Sequence, residues 1–300
     1  MSSSLSDNQR GIVAICGCMT AYSINDVLVK QILRSYPVGE VILVRGVMSL
    51  LLIGAVAVAF GHGRRLRDTL SPLLAARSAC DGLSTAGFMI ALANVPLANV
   101  ASVMQIGPLL MTVLSVLFFR EAVGRRRWIA IGVGFAGALL IIKPVPSAFN
   151  IWVMAGAAAA LFAALREIAN RRIGRDLPVI VVAFWGAVGI TLFGALFALN
   201  EDWRMLQSGD LIQLFAASVF VGVAIYLMAL GFRDVDLSVV APFRYSYLLT
   251  SAIAGYLVFA ELPDGWTIAG AALIVGSGIY TLHRESVRRR TLTAKAATAA

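Results

Sequence analysis

Residues Val38–Phe60 read VGEVILVRGVMSLLLIGAVAVAF and run into Gly61-His62-Gly63-Arg64-Arg65-Leu66-Arg67. Only Glu40 and Arg45 interrupt the apolar run, both in its first third, and an arginine cluster follows its end. About 20 apolar residues in a helix cross the hydrocarbon core of a bilayer, and short loops rich in Lys and Arg resist translocation. The stretch therefore reads as a membrane span that ends in the cytoplasm.

The same pattern recurs along the chain. The ten candidate spans are Gly11–Val29, Val38–Phe60, Leu73–Leu92, Val100–Phe119, Trp128–Ile142, Ile151–Leu165, Pro178–Leu199, Leu211–Gly231, Val239–Ala260 and Thr267–Leu282. The fifth, sixth and tenth are short and are expected to extend into amphipathic flanks. With the N-terminus in the cytoplasm, 19 of the 25 Lys and Arg fall in inner segments, Arg77 and Arg166 among them. Four (Lys30, Arg34, Lys143 and Arg204) fall in outer ones, and Arg45 and Arg244 lie within spans. This asymmetry places both termini in the cytoplasm, with 284–300 a cytoplasmic tail whose end, Thr291–Ala300, is expected to be mobile. The first span continues through Asn25 and Asp26 without a convincing cleavage site, so it reads as a retained helix rather than a signal peptide.

Hydrophobic residues make up 59% of the chain and charged residues 14%, against about 25% charged in soluble domains. A β-barrel needs alternating strands of about ten residues, and these runs are continuous. The net charge of +9 is dispersed over inner loops, where it suits anionic lipid heads better than a nucleic acid. The expected partners are thus the lipid bilayer and a small-molecule substrate, with no nucleic acid. Cys16 and Cys18 are two apart, on nearly opposite helix faces, and with Cys80 they read as free thiols inside spans. His62 and His283 complete no zinc pattern, so no metal or cofactor is expected. No nucleophile, base and metal converge, so an enzyme is not expected. Gly132-Val-Gly134-Phe-Ala-Gly137 spells a dinucleotide fingerprint but lies inside an apolar helix with no strand before it; small residues there serve close helix packing.

The chain divides near Pro144–Asn150, with five spans in 11–143 and five in 150–283. Five is odd, so the second half enters the membrane in the opposite sense. Phe118-Phe119-Arg120-Glu121 and Val258-Phe259-Ala260-Glu261 end the fourth and ninth spans, and Trp128 and Gly132 match Trp266 and Gly270, all at an offset near 140. The expected fold is all-α and polytopic, ten transmembrane helices as two five-helix inverted repeats. Such repeats can exchange inward-open and outward-open states around a site near the midplane.

Ionisable groups at membrane depth are functional candidates. Asp81 lies mid-span, with Ser84, Thr85 and Phe88 on the same helix face. It is a candidate cavity liner and carrier of a coupling proton in the low-dielectric interior, or else an interhelical partner. Span nine carries Ala241-Pro242-Phe243-Arg244-Tyr245-Ser246-Tyr247. Pro242 removes an amide donor and opens a turn, and a guanidinium among tyrosines can hold an aromatic or anionic solute. Arg244, Tyr245 and Tyr247 are therefore candidate substrate contacts; the alternatives pair Arg244 with an acidic residue such as Asp81 or Glu40, or have it snorkel inward. Asn25 and Asp26 form a third group, with Lys30 one turn on as a partner for Asp26. Glu40, near the outer edge, and Arg45, deeper and in need of a partner, form a fourth. Gln105 sits almost one turn before Pro108, which should kink span four or free a carbonyl; Trp185 and Phe184 offer a stacking wall, or else pack as ordinary core. Asp26, Glu40, Arg45, Pro108 and Pro242 are candidate coupling or gating residues.

These residues carry a resemblance to the drug/metabolite transporter superfamily, over roughly residues 11–283. Its carriers are Asp26 and Lys30, Tyr36-Pro37-Val38-Gly39-Glu40, Arg45, the Pro108…Glu121…Gly132 pattern, Ala-Pro-Phe-Arg-Tyr at 241–245, Phe259-Ala260-Glu261 and Gly270. The resemblance implies two EamA-type repeats, the bacterial inner membrane, in some members a homodimer, and subfamilies that take up riboflavin or S-adenosylmethionine. The expected substrate is a heteroaromatic metabolite, riboflavin first and S-adenosylmethionine second, with export of a metabolite, amino acid or drug as the alternative.

Overall fold

The computed structural model describes residues 3–63, 66, 69, 71–120, 124–143, 150–173, 177–231 and 240–299. Its helices are α1 (Ser3–Leu33), α2 (Val38–Ala59), α3 (Pro72–Asn94), α4 (Leu97–Met104), α5 (Gly107–Phe119), α6 (Arg125–Ile142), α7 (Ile151–Ile173), α8 (Val179–Ala198), α9 (Ser208–Gly231), α10 (Ser246–Phe259) and α11 (Gly265–Ala299), with a 3-10 turn at Ala241–Tyr245 before α10. No strand occurs among the described residues. Among the described residues eleven helices make ten spans, because α4 and α5 are two pieces of span four. Six spans are long and apolar enough to cross a membrane by length and composition alone, and Trp128–Ile142 and Gly265–Thr281 are shorter apolar helices.

Local chemistry sets the helix ends. Ser71 caps α3, its Oγ accepting from Leu74 N at 3.2 Å with Pro72 in the first turn. Extended prolines (Pro37, Pro96, Pro178) precede α2, α4 and α8. Arg120, Lys143 and Ala260 end α5, α6 and α10 in the left-handed conformation, with φ of 53°, 51° and 56°, a place more often taken by glycine.

The structure corrects several boundaries. The sixth span runs on to Ile173, so Arg166, Arg171 and Arg172 are helical; Arg77, counted with the inner segments although it falls within Leu73–Leu92, lies inside α3. The expected mobile tail is instead a continuation of α11 to Ala299. Arg64, Arg65, Arg67, Glu121, Arg175, Arg233 and the junction 144–149 lie outside the described residues.

The two halves interleave. The closest pairings are α2 with α8, α3 with α7, α1 with α9, and α6 with α11, and every one crosses the chain midpoint. They also obey a twofold rule. Span one on span eight (α1, α9) is matched by span six on span three (α7, α3), while α2–α8 and α6–α11 are their own counterparts. The fold is a bundle of two inverted five-span halves, with both termini at one end, the terminal face, and the opposite end the far face.

The symmetry is broken most clearly at one place. The α3 helix also lies along α8, whereas the corresponding α9 and α2 touch little. Gly186 permits that approach: a Cβ there would sit 2.5 Å from both Arg77 Nη1 and Asp81 Oδ2. The α6–α11 contact rests on Gly137 and Gly270, where an added Cβ would fall 2.6 and 2.5 Å from the opposing glycine's carbonyl oxygen. The glycine fingerprint is thus used for packing, except Gly132, which faces open space.

Candidate functional site

One hydrogen-bonded chain crosses the middle of the bundle. From α2, Arg45 Nη2 donates to Asn25 Oδ1 on α1 at 2.8 Å. Asn25 Nδ2 donates to Asp26 Oδ1 at 2.8 Å, and the Tyr247 hydroxyl on α10 donates to Asp26 Oδ2. Ser23 Oγ donates to Ser251 Oγ at 3.4 Å beside it. Asn25, Asp26, Tyr247, Ser23 and Ser251 are all buried, and Arg45 is half-buried. Four residues read separately from the sequence, Asn25, Asp26, Arg45 and Tyr247, therefore form one unit joining the two halves. The expected Asp26–Lys30 pair does not form; Lys30 has turned to a partner in the other half.

Span four breaks at Gln105–Ile106, and Pro108 sits in the first turn of a fresh helix instead of kinking an intact one. In span nine, Pro242 lies in the 3-10 turn that leads into α10. The two irregular segments meet: Gln105 Nε2 donates to the Arg244 carbonyl at 3.5 Å. Arg244 itself is exposed, and its guanidinium has no hydrogen bond or ion pair among the described residues. It points neither to Asp81 nor to Glu40, both of which are otherwise bonded. Instead Tyr22 on α1 lies within electrostatic reach of Arg244, Arg166, Asp26 and Cys18. A guanidinium at membrane depth is expensive unless it faces a water-filled space, so Arg244, with Tyr22 and Gln105, is a candidate liner of such a space, a vestibule, near the Asp26 chain. Tyr245 does not join it; its ring is buried against Gly278 of α11, and its hydroxyl lacks a partner among the described residues.

Asp81 has a structural position. Its carboxylate pairs with Arg77 one turn before it and with Arg166 Nη1 of α7 at 3.0 Å. Arg77 Nε also donates to Asn170 Oδ1 at 3.0 Å, and Arg166 Nη2 to Glu167 Oε1 at 2.8 Å. Moving a proton through Asp81 would break both ion pairs, a cost that the coupling role expected for it would have to meet. Ser84 Oγ donates to Ala159 O at 2.9 Å, so the polar stripe on α3 fastens α3 to α7. Thr85 on that stripe is half-buried.

Glu40 and Trp185 lie away from the vestibule. Expected at a solvated edge, Glu40 is 1% exposed and accepts from Arg204 N at 3.0 Å. Trp185 Nε1 donates to Leu66 O at 3.1 Å, and its ring lines a separate cavity of about 470 Å³ with Phe184, Val58 and Leu66 at the terminal face.

The far face is closed by bonds between the halves. Lys30 Nζ donates to Val95 O at 2.7 Å and pairs with Glu261 Oε1 at 2.8 Å, and Glu261 Oε2 accepts from Leu97 N at 2.9 Å. Glu201 accepts from Gly39 N and Glu40 N at 3.0 and 3.1 Å, capping α2. The Tyr36 hydroxyl donates to Asp210 Oδ2 at 2.6 Å, which pushes the phenol's pKa up. Lys143 pairs with Asp264, and that hydrogen bond holds the Asp264 carboxyl down at about 2.

Arg77, Arg166, Tyr22 and Lys30 were not read as site residues from the sequence. The first two were counted as loop charges; the i,i+4 spacing of Arg77 and Asp81 was the available signal. Lys30 was assigned to its sequence neighbour, and Tyr22 carries no signal beyond its helix.

Ten interleaved spans around a polar midplane define a multi-pass membrane transporter. The chain belongs to the EamA-like transporter family, whose model matches residues 9–143 and again 150–282. Among curated relatives, an S-adenosylmethionine uptake transporter of Rickettsia felis is 27% identical, over 89% of this chain and 90% of the relative. A riboflavin transporter of Vibrio cholerae is 32% identical over 65% of this chain and 66% of its own length. A pseudopaline exporter of Pseudomonas aeruginosa is 26% identical over 88% and 92%. A crystal structure 20% identical in sequence superposes with a TM-score of 0.62, covering 94% of this chain and 99% of the other, and has the same fold.

Proposed function

We propose that this chain is a secondary transporter of the bacterial inner membrane, with both termini cytoplasmic, that takes up a heteroaromatic metabolite bearing a carboxylate. S-adenosylmethionine is the first choice. The observation that carries this reading is Arg244, an exposed guanidinium without an ion pair among the described residues, within electrostatic reach of Tyr22. An arginine left open in this way suits a carboxylate, which its planar fork binds through two hydrogen bonds. S-adenosylmethionine has such a carboxylate and a purine to stack on tyrosine. Its positive groups have an acidic pole in Asp26, whose direct partners Asn25 and Tyr247 are both neutral. Riboflavin, placed first on sequence alone, has no carboxylate for Arg244; it stays the second reading because of the 32% identity to a riboflavin transporter.

Alternating access follows from the inverted halves. In this state α3 packs on α8 and α9 stands off α2; exchanging the two pairings generates the twofold-related state. The test is growth. A strain unable to make S-adenosylmethionine, expressing this chain, should grow on the external compound, while a riboflavin auxotroph expressing it should not. The reverse result rejects the carboxylate reading in favour of riboflavin, and rescue of neither strain rejects both.

A further inference from the structure

The inverted halves place one cation–aromatic contact at each end of the bundle. At the far face, Lys30 Nζ lies 5.2 Å from the centroid of the Phe259 ring, with the Arg34 guanidinium 4.5 Å from the same ring. At the terminal face, the Arg171 guanidinium lies 4.6 Å from the Phe119 ring, with Arg172 5.3 Å from Phe118. The cations end spans one and six; the rings end spans nine and four. Lys30 and Arg171 differ by 141 positions, and Phe119 and Phe259 by 140. Each main ring is followed at once by a left-handed residue, Arg120 or Ala260, which turns the chain away from the helix. The two contacts are therefore equivalent under the twofold relation in residue type, helix position and backbone.

We infer that Lys30 with Phe259 and Arg171 with Phe119 are the two gates of the transport path, closed together here and opened one at a time. The far gate joins two helices that carry parts of the site, and the terminal gate joins two helices next to it. Lys30 ends α1, which holds Asn25 and Asp26, and Phe259 ends α10, which holds Tyr247. Arg171 ends α7, which holds Arg166, and Phe119 ends α5, which begins just after Gln105. Parting one contact releases two walls of the vestibule at one face only. Lys30 is buried and Arg171 exposed, and a cation–π contact at either kind of site is weak enough to be broken in each cycle. Both cations have further bonds: Lys30 pairs with Glu261 and donates to Val95 O, and Arg171 Nη1 donates to Ser115 Oγ at 2.8 Å.

This assignment rests on the transporter reading for its purpose, but its test needs no substrate. Gln105→Cys is introduced into full-length protein whose Cys16, Cys18 and Cys80 are changed to Ser. Labelling by a membrane-impermeant methanethiosulfonate is measured in right-side-out and inverted vesicles. Lys30→Met and Phe259→Leu should raise labelling from the far face about tenfold and lower it from the terminal face; Arg171→Met and Phe119→Leu should do the reverse. Lys30→Arg, which keeps a cation over the ring, should label like the parent. Labelling that rises at the wrong face, rises at both faces together, or changes with neither set overturns the assignment, whether or not S-adenosylmethionine is the substrate.

Discussion

Asp81→Asn should destabilise the protein strongly, and removing Arg77 as well should restore it. The Asp81 carboxylate is 9% exposed, Arg77 10% and Arg166 32%. Taking one partner from a buried ion pair costs about 3–5 kcal/mol, because the other charge stays buried and uncompensated. The low end applies here. Arg77 keeps Asn170 Oδ1 at 3.0 Å and Val182 O at 3.3 Å, and Arg166 keeps Glu167. A loss of about 3 kcal/mol lowers the ratio of folded to unfolded protein by about a hundredfold. The double variant Arg77→Met, Asp81→Asn removes both charges and leaves Arg166 and Glu167 balanced. An apolar replacement of a buried pair is often neutral, so it should lie within about 1 kcal/mol of the parent. The assay is reversible unfolding in mixed micelles, followed by tryptophan fluorescence, with all four corners of the cycle measured. Parent-like stability in Asp81→Asn, or a double variant as unstable as the single, would refute the ion-pair account. The double variant should also still exchange substrate, since Asp81 carries no proton in this scheme.

Asp264 supplies a pH dependence. Its folded pKa, about 2, lies below the ordinary 3.8. A depressed carboxyl contributes stability above the unfolded pKa and loses it as the pH falls toward the folded one. The Asp264→Asn variant should melt below the parent at pH 5, the gap closing between pH 4 and 2; a gap that persists at pH 2 contradicts this. The side chain is 44% exposed, so the gap should be small and shrink in high salt. Ala260→Gly should stabilise by up to about 1 kcal/mol, because glycine takes the left-handed conformation without the Cβ penalty; a lower melting temperature would argue against that turn. Tyr247→Phe removes one of two direct donors to a buried carboxylate, at about 1–3 kcal/mol, and should reduce uptake in protein that still inserts; unchanged uptake would separate Asp26 from the site.

The membrane architecture was legible because it is one-dimensional. Apolar run length and the placement of Lys and Arg need no knowledge of neighbours. The breaks in spans four and nine were legible too, because Pro108 and Pro242 state them locally, although Pro108 proved to begin a helix where a kink was expected. Partner choice was not legible. Lys30 sits one turn from Asp26, yet it bonds Glu261, 231 positions away, because the interleaved halves bring that carboxylate to the end of α1. Arg166 looks like a loop charge until α7 is seen to continue to Ile173. Trp185 was offered as a stacking wall on residue type alone, and its indole is bound to the carbonyl of Leu66. Pairings between halves depend on the three-dimensional interleaving, which neither spacing nor hydropathy encodes.

The central claim is that the open guanidinium of Arg244 selects a carboxylate-bearing solute. Counterflow in proteoliposomes tests it most directly, with labelled S-adenosylmethionine outside and either S-adenosylmethionine or its decarboxylated analogue loaded inside. Wild-type protein should accumulate label against the first and little against the second, and Arg244→Gln should lose the distinction while remaining folded. Equal counterflow against both compounds in the wild type, or an unchanged preference in Arg244→Gln, would contradict it.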